Sequence, residues 1–306
     1  MSRVVVLGVF NADVAFRADR MPKMGETIHG KSFHLGPGGK GSNQAVAAAR
    51  AGADTHMITR LGKDAFADMA LEIWRDAGVT PVITQHGDKS TGSAFIFIEE
   101  HSGNNAIIIA PGAAASMTNA DIDERAKLIS EADVFVTQFE QPMGPAHHAL
   151  EIAHKGRAIT VLNPAPAMEI PDGMLKLCDY VTPNESEAEA LTGIKVVSLD
   201  DAQQAAMALV ARGAGAAILT LGEKGALFHN GSETVHVPVM NAGGVADTSG
   251  AGDAFNGGLA AALARGQAPE EALRFAAATA AISVTRHGTA PSMPSEQEIR
   301  ALLARG

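Results

Sequence analysis

Apolar and polar positions follow two rhythms along this chain. Positions 4–7 (Val-Val-Val-Leu) are a continuous, mostly β-branched run that stops at Gly8, the pattern of a strand buried on both faces. Comparable runs predict strands at 56–59, 134–137, 159–162, 180–182 and 217–221, with an edge strand at 234–237. Between them, apolar positions at helical spacing predict helices over 45–50, 65–77 (closed by Gly78), 121–129, 145–154, 200–212, 269–285 and 296–303. A further small-residue helix leaves the turn at 247–253 and runs to about Arg265. Strand and helix in alternation imply a mainly parallel, doubly wound α/β sheet flanked by helices. Two stretches break the rhythm. Short strands at 26–28 and 31–35 around Gly30, and a hairpin of 94–98 with 105–110, suggest a small β lid over about 14–36 and about 92–110. With no linker, repeat or low-complexity segment, 1–306 is expected to form a single domain carrying that lid.

Composition narrows the function classes. Hydrophobic residues make up 46% of the 306, enough for a sizeable core, and the formal charge is −10. No basic stripe is present, which argues against nucleic acid, and no apolar run approaches membrane-spanning length. Cys178 is the one cysteine, so an internal disulfide and a cysteine metal cluster are excluded and a reducing, cytoplasmic compartment is expected. It is expected in an apolar strand as inert core. His147 and His148 lack a third ligand at metal spacing and read as solvated.

The stretch most informative about chemistry is Asp247-Thr248-Ser249-Gly250-Ala251-Gly252-Asp253. The first N–H groups of a helix have no internal partner and its macrodipole makes that end positive. Gly250 and Gly252 keep side chains away from those amides, so a phosphate can approach. Asp253 is either an ordinary first-turn acid or a general base at the mouth of an anion pocket. The glycines favour the base. Gly257 and Gly258 lie inside the helix, where each costs ~1 kcal/mol relative to alanine, and close packing is the expected reason. A second glycine-rich stretch, Gly36-Pro37-Gly38-Gly39-Lys40-Gly41-Ser42-Asn43-Gln44, precedes an alanine-rich helix. Its spacing fits neither a Walker A loop nor a dinucleotide fingerprint. Polar residues end four of the expected strands: Asn11 and Asp13, Glu140, Asn184 and Glu187, and Thr220 with Gly222. Carboxyl ends of strands are where open α/β sheets bind ligands.

These motifs, over essentially the whole length, resemble the ribokinase-like carbohydrate kinases: the 247–258 stretch first, then 38–45 and Asn11-x-Asp13. The resemblance implies an ATP-dependent kinase acting on the primary hydroxyl of a small sugar, ribose foremost, with fructose, a deoxy sugar or a nucleoside as alternatives on the same fold. A sugar-binding protein without catalysis is a further alternative, which intact Asp253, Lys40 and Glu187 disfavour. By resemblance, Asp253 takes the hydroxyl proton and Gly250, Ala251 and Gly252 form the anion hole. Asn11, Asp13, Gly39, Lys40, Asn43 and Glu140 hold the sugar, with Asp253. Asn184, Thr220, Gly222, Lys224, Gly225 and Gly252 contact the nucleotide. Glu187 holds Mg²⁺ through water, although Asn184-x-x-Glu187 is also a helix capping box. Asp247, Ser249, Ser283, Arg286, Gly288 and Ser292 frame a K⁺ site, mostly through carbonyls. A homodimer through the lid is implied as well. The chain departs from the family pattern at Ala277, where relatives commonly carry Asn or His near the adenine.

Overall fold

The computed structural model describes residues 2–305. The N-terminal run becomes β1 (Arg3–Leu7), and its side chains divide between two cores. Val4 and Val6 face one side of the sheet, Val5 and Leu7 the other, and all are fully buried. From β1 the chain enters two lid strands, β2 (Asn11–Ala18) and β3 (Ser32–Gly38). It returns through α1 (Lys40–Arg50) to β4 (Asp54–Leu61), then through α2 (Ala65–Ala77) to β5 (Thr80–Gln85). The hairpin of β6 (Gly92–Glu99) and β7 (Asn105–Ala110) completes the lid. Two short helices follow, α3 (Asn119–Asp123) and α4 (Ala126–Ser130). The chain then crosses to the far side of β1 as β8 (Val134–Thr137), α5 (Met143–Gly156), β9 (Ile159–Leu162) and β10 (Tyr180–Val181). Next come α6 (Glu185–Thr192), α7 (Leu199–Ala211) and β11 (Ala216–Thr220). An antiparallel ribbon, β12 (Ala226–His229) and β13 (Thr234–Val237), leads to the closing helices α8 (Ala251–Ala264), α9 (Pro269–Ser283) and α10 (Glu296–Leu303).

The main sheet has nine strands in the order β13-β12-β11-β10-β9-β8-β1-β4-β5, parallel from β5 through to β11. Successive strands run outward from β1 in one direction as β4 and β5, and in the other as β8 to β11. The order therefore reverses between β1 and β8, which opens a crevice at their carboxyl ends where ligands bind in such sheets. The lid is a separate four-stranded sheet, β3-β2-β6-β7, rooted three residues beyond that crevice.

Helix α8 is the spine of one layer, and Asp253 through Leu263 are all buried. Its glycines serve close packing. A Cβ on Gly257 would lie 2.3 Å from the Ala47 Cβ in α1, and one on Gly258 would lie 2.5 Å from the Thr279 Oγ1 in α9.

Several expectations need correction. Segment 26–28 is not a strand, because Glu26 is drawn into a turn by Arg20 and by the Lys23 N–H (2.9 Å). The lid strand lies earlier, at β2, where polar and apolar residues alternate and the polar ones dilute the signal. Asn11 and Asp13 thus begin a lid strand instead of trailing β1. Helix α1 starts at Lys40, five residues before the expected position, so Lys40, Asn43 and Gln44 ride on its first turns. The 121–129 helix is broken in two at Glu124-Arg125, where the Arg125 guanidinium donates to the Asp121 carbonyl (2.8 Å) and the Arg125 N–H turns to the Ile122 carbonyl (2.9 Å). Cys178 is buried but follows a 3₁₀ turn rather than sitting in a strand, and burial pushes its thiol pKa well up. Strands β5 and β12 had no expectation, and helix α6 was expected only through its capping box at Asn184 and Glu187.

Candidate active site

Three stretches meet at the crevice: the start of α1, the strand ends of β8 to β11, and the turn before α8. The α1 end is set by Gly39, whose φ of +88° only glycine adopts readily. A Cβ there would meet the Val9 carbonyl at 2.6 Å, so the turn lies flat on the backbone after β1. This aims the Lys40 N–H at Glu140, whose Oε2 accepts it at 2.7 Å. Gly38 leaves room for the Asp13 carboxyl, since a Cβ there would lie 2.2 Å from Asp13 Oδ2.

At the α8 end, Gly250 is the N-cap in the left-handed region (φ +74°). The Ala251 N–H turns back to the Thr248 carbonyl (3.2 Å), whereas Gly252 lies in the first helical turn, where amides lack an upstream acceptor. Nothing lies within 4 Å of the position a Gly252 Cβ would take. The backbone here is bare and faces open space, as an anion cradle requires. One residue on, Asp253 is buried, with Oδ2 accepting from Asn43 Nδ2 (2.9 Å) and Oδ1 from Gln44 Nε2 (3.0 Å).

The turn opens on a cavity of about 820 Å³. Lys40 and Asp253 form one end of it, and Asn184, Glu187, Thr220, Gly222 and Gly225 line a wall. Apolar side chains, among them Val239, Met240, Ala277 and Val284, line the rest. Asn184 caps α6 by accepting the Glu187 N–H (2.8 Å), and Glu187 Oε2 accepts the Asn184 N–H (2.9 Å). The capping box is therefore real, and Glu187 still borders the cavity. A backbone bridge joins Asn184 to Thr220. Lys224 is not gathered there: it does not line the cavity, and its ammonium donates to the Val197 carbonyl (2.6 Å).

Electrostatically the centre is a crowd of acids around one cation. Burial pushes Glu140 up to about 7 and Asp13 up to about 6; Lys40 opposes the first shift and His34 the second. Burial also raises Asp253 and Glu187 against the pull of Lys40 and of their hydrogen bonds. Lys40 responds in kind. Burial would depress its ammonium, but Asp253, then Glu140 and Glu187, hold its pKa above the ordinary value. Two buried acceptors, Asn11 Oδ1 and Asn43 Oδ1, receive no hydrogen bond from the chain. Acceptors and carboxylates of this kind suit a ligand that brings hydroxyl donors.

Of the residues expected to frame a monovalent cation, Asp247 is bonded to Ser249 and Gly288, and Arg286 reaches Ser292. Asp247 accepts the Ser249 N–H (2.9 Å) and the Gly288 N–H (3.0 Å), tying the turn before α8 to the loop after α9. These bonds outweigh burial and hold its carboxyl below the usual range. Arg286 points at the Ser292 carbonyl (3.5 Å) and pairs with Glu298, while Ser283, buried, donates to the Ala280 carbonyl (2.9 Å).

Sequence reasoning passed over Gln44, which touches Asp253, and over Gln138, Asn163 and Asn256, whose buried side chains bond to Gln44 or to the Gly252 carbonyl. Asn163 follows β9 directly, so the strand-end rule applied to that strand finds it.

A bare-backbone turn, a buried carboxylate beside it and a large cavity at a switch point define an α/β enzyme of phosphoryl transfer. The chain belongs to the pfkB family of carbohydrate kinases, whose model matches residues 1–296. Deoxyribokinase of Salmonella typhi is 38% identical over 303 residues, covering 98% of each chain. Ribokinase of Haemophilus influenzae is 37% identical over 296 residues, covering 96% of each. Among solved structures, Arabidopsis thaliana ribokinase complexed with ribose and ATP superposes with a TM-score of 0.92 at 32% identity, covering 98% of each chain. The protein is accordingly an ATP-dependent sugar kinase.

Proposed function

We propose that this kinase transfers the γ-phosphoryl of ATP to the primary hydroxyl of D-ribose, giving ribose 5-phosphate. The observation that carries the reading is Asp253, buried where the lid end of the crevice meets the nucleotide-sized cavity. Asn11, Asp13, Gly39, Lys40, Asn43 and Glu140 hold the sugar hydroxyls, and Asp253 takes the proton of the attacking hydroxyl. Gly250, Ala251 and Gly252 present the α8 N-terminus to the transferred phosphoryl, where charge spreads in the transition state. ATP lies along the cavity wall formed by Asn184, Thr220, Gly222 and Gly225.

Glu187 fits a magnesium site, since one carboxylate plus water is a typical donor set for that ion. When bound there, magnesium would neutralise charge on the nucleotide phosphates. The carbonyl-rich loops tied by Asp247 fit potassium, with Ser249, Ser283, Arg286, Gly288 and Ser292 around it. The apolar lid edge fits a homodimer, and the lone buried cysteine fits a reducing cytoplasm.

A 2-deoxyribose kinase is the second reading, favoured by the Salmonella relative's name. The two differ by one hydroxyl, so coupled ADP release with ribose, 2-deoxyribose, fructose and adenosine separates them. Ribose should give the highest kcat/KM, with turnover increased by K⁺; a preference for 2-deoxyribose would replace the first reading with the second.

A further inference from the structure

Asp253 sits inside a network of side-chain amides whose orientations are mutually determined. Asn163 Nδ2 donates to the Thr182 carbonyl (3.0 Å), which turns Asn163 Oδ1 toward Gln44. Gln44 Nε2 donates to that oxygen (3.0 Å) and to Asp253 Oδ1 (3.0 Å), using both of its protons. Gln44 Oε1 is left to accept from Gln138 Nε2 (2.6 Å). A flipped Gln44 amide would set its oxygen against two other oxygens, so the network admits one arrangement. On the other side, the Thr182 hydroxyl donates to Asn256 Oδ1 (2.6 Å), and Asn256 Nδ2 donates to the Gly252 carbonyl (2.8 Å). Gln44, Gln138, Asn163, Thr182 and Asn256 are all buried. They come from α1, from the ends of β8, β9 and β10, and from α8. One chain of bonds thus spans the crevice floor and grips both Asp253 and the residue before it.

We propose that Gln44 is a positioning residue for the phosphoryl transfer, fixing the orientation and the charge of the Asp253 carboxylate and held in its own orientation by Gln138 and Asn163. The inference rests on Asp253 being the base. With Asn43 on Oδ2 and Gln44 on Oδ1, each oxygen receives one donor, and a carboxylate retains further lone pairs to accept the sugar proton. Donors to the charged form favour it against burial. The groups facing Asp253 are Lys40, Asn43 and Gln44, with the carboxyls of Asp13, Glu140 and Glu187 as like-charge neighbours. Of the amides, Asn43 also has an oxygen free for substrate, whereas Gln44 is saturated within the protein and acts only through Asp253.

The test is the pH dependence of kcat in the full-length enzyme at saturating ribose and ATP. Gln44→Met removes the donor at similar length. The expected result is a kcat lower by roughly tenfold to hundredfold, the loss of one hydrogen bond to a charged group. Both KM values should stay within about threefold, and the acid limb should move about one unit to higher pH. Gln138→Met, which does not touch Asp253, should shift the limb in the same direction by less, and it serves if Gln44→Met does not fold. An acid limb at the wild-type pH in the folded variants overturns the proposal, even if kcat falls. Asp253→Asn is the control on the underlying reading: wild-type-like turnover there removes the base itself. A dead Asp253→Asn with an unmoved limb in Gln44→Met removes only the role of Gln44.

Discussion

At the residue scale, the glycines of α8 separate chemistry from packing within a few positions. Gly252 has open space where a Cβ would go, and Gly257 has Ala47 at 2.3 Å and the Gln44 carbonyl at 2.6 Å. Gly252→Ala should therefore fold with an unchanged melting temperature and lose turnover, because its methyl group would intrude on the proposed anion cradle. Gly257→Ala forces α1 and α8 apart and should destabilise by ~1–3 kcal/mol, the usual cost of overpacking. Thermal melts alongside kcat measure both. A stable, fully active Gly252→Ala would argue against phosphate contact at that amide. These roles were only half legible beforehand. Two glycines before a helix announce a cradle, and two inside it announce a close approach, but which neighbour approaches depends on α1 and α9, distant in the chain.

At the scale of elements, the lid strand β2 and the loop after β8 bring acids together beside α1, and the proposed sugar site would link its binding to pH. Asp13 stands at about 6 and Glu140 at about 7, both raised by burial. Raised carboxylate values mean that the free protein holds extra protons between the ordinary carboxylate range and pH 7. These groups therefore oppose folding above about 7, and the opposition is relieved as pH falls through 7 and 6. Sugar hydroxyls that donate to the ionised carboxylates reverse the balance. Ribose should bind with proton release, and its stabilisation of the protein should be larger at pH 8 than at pH 5.5. Thermal shifts at the two values, and calorimetry in buffers of different ionisation enthalpy, read this out; equal affinity and no proton release would exclude both carboxylates from the sugar site. Element by element, the buried parallel strands were visible because a run such as Val4–Leu7 has no polar position to confuse it. Strand β2 was not, since Asn11 and Asp13 interrupt its apolar run.

For the whole molecule, the lid leaves an apolar surface in need of cover. Phe33 is 57% exposed, Ile108 64% and Ile109 57%, and Phe16 and Phe33 pack with ring centroids 5.1 Å apart on the strands beside them. Unpaired apolar strands of this kind promote association. The wild-type chain should scatter light as a dimer, and Ile108→Lys as a monomer with a raised KM for sugar. A wild-type monomer at every working concentration would exclude the lid dimer.

What the amino-acid order determined by itself is local. Runs of Val and Ile dictate strands, caps and glycines punctuate helices, and the turn at 247–253 carries the chemistry of the proposed anion cradle in its own backbone. What only the tertiary structure decided is which polar groups share one space. The reversal of strand order between β1 and β8 brings Gln44, Gln138 and Asn163 around Asp253, although they are separated by up to 209 residues in sequence. Burial then shifts the carboxyls there, and burial is a property of the packed assembly, not of any residue in it.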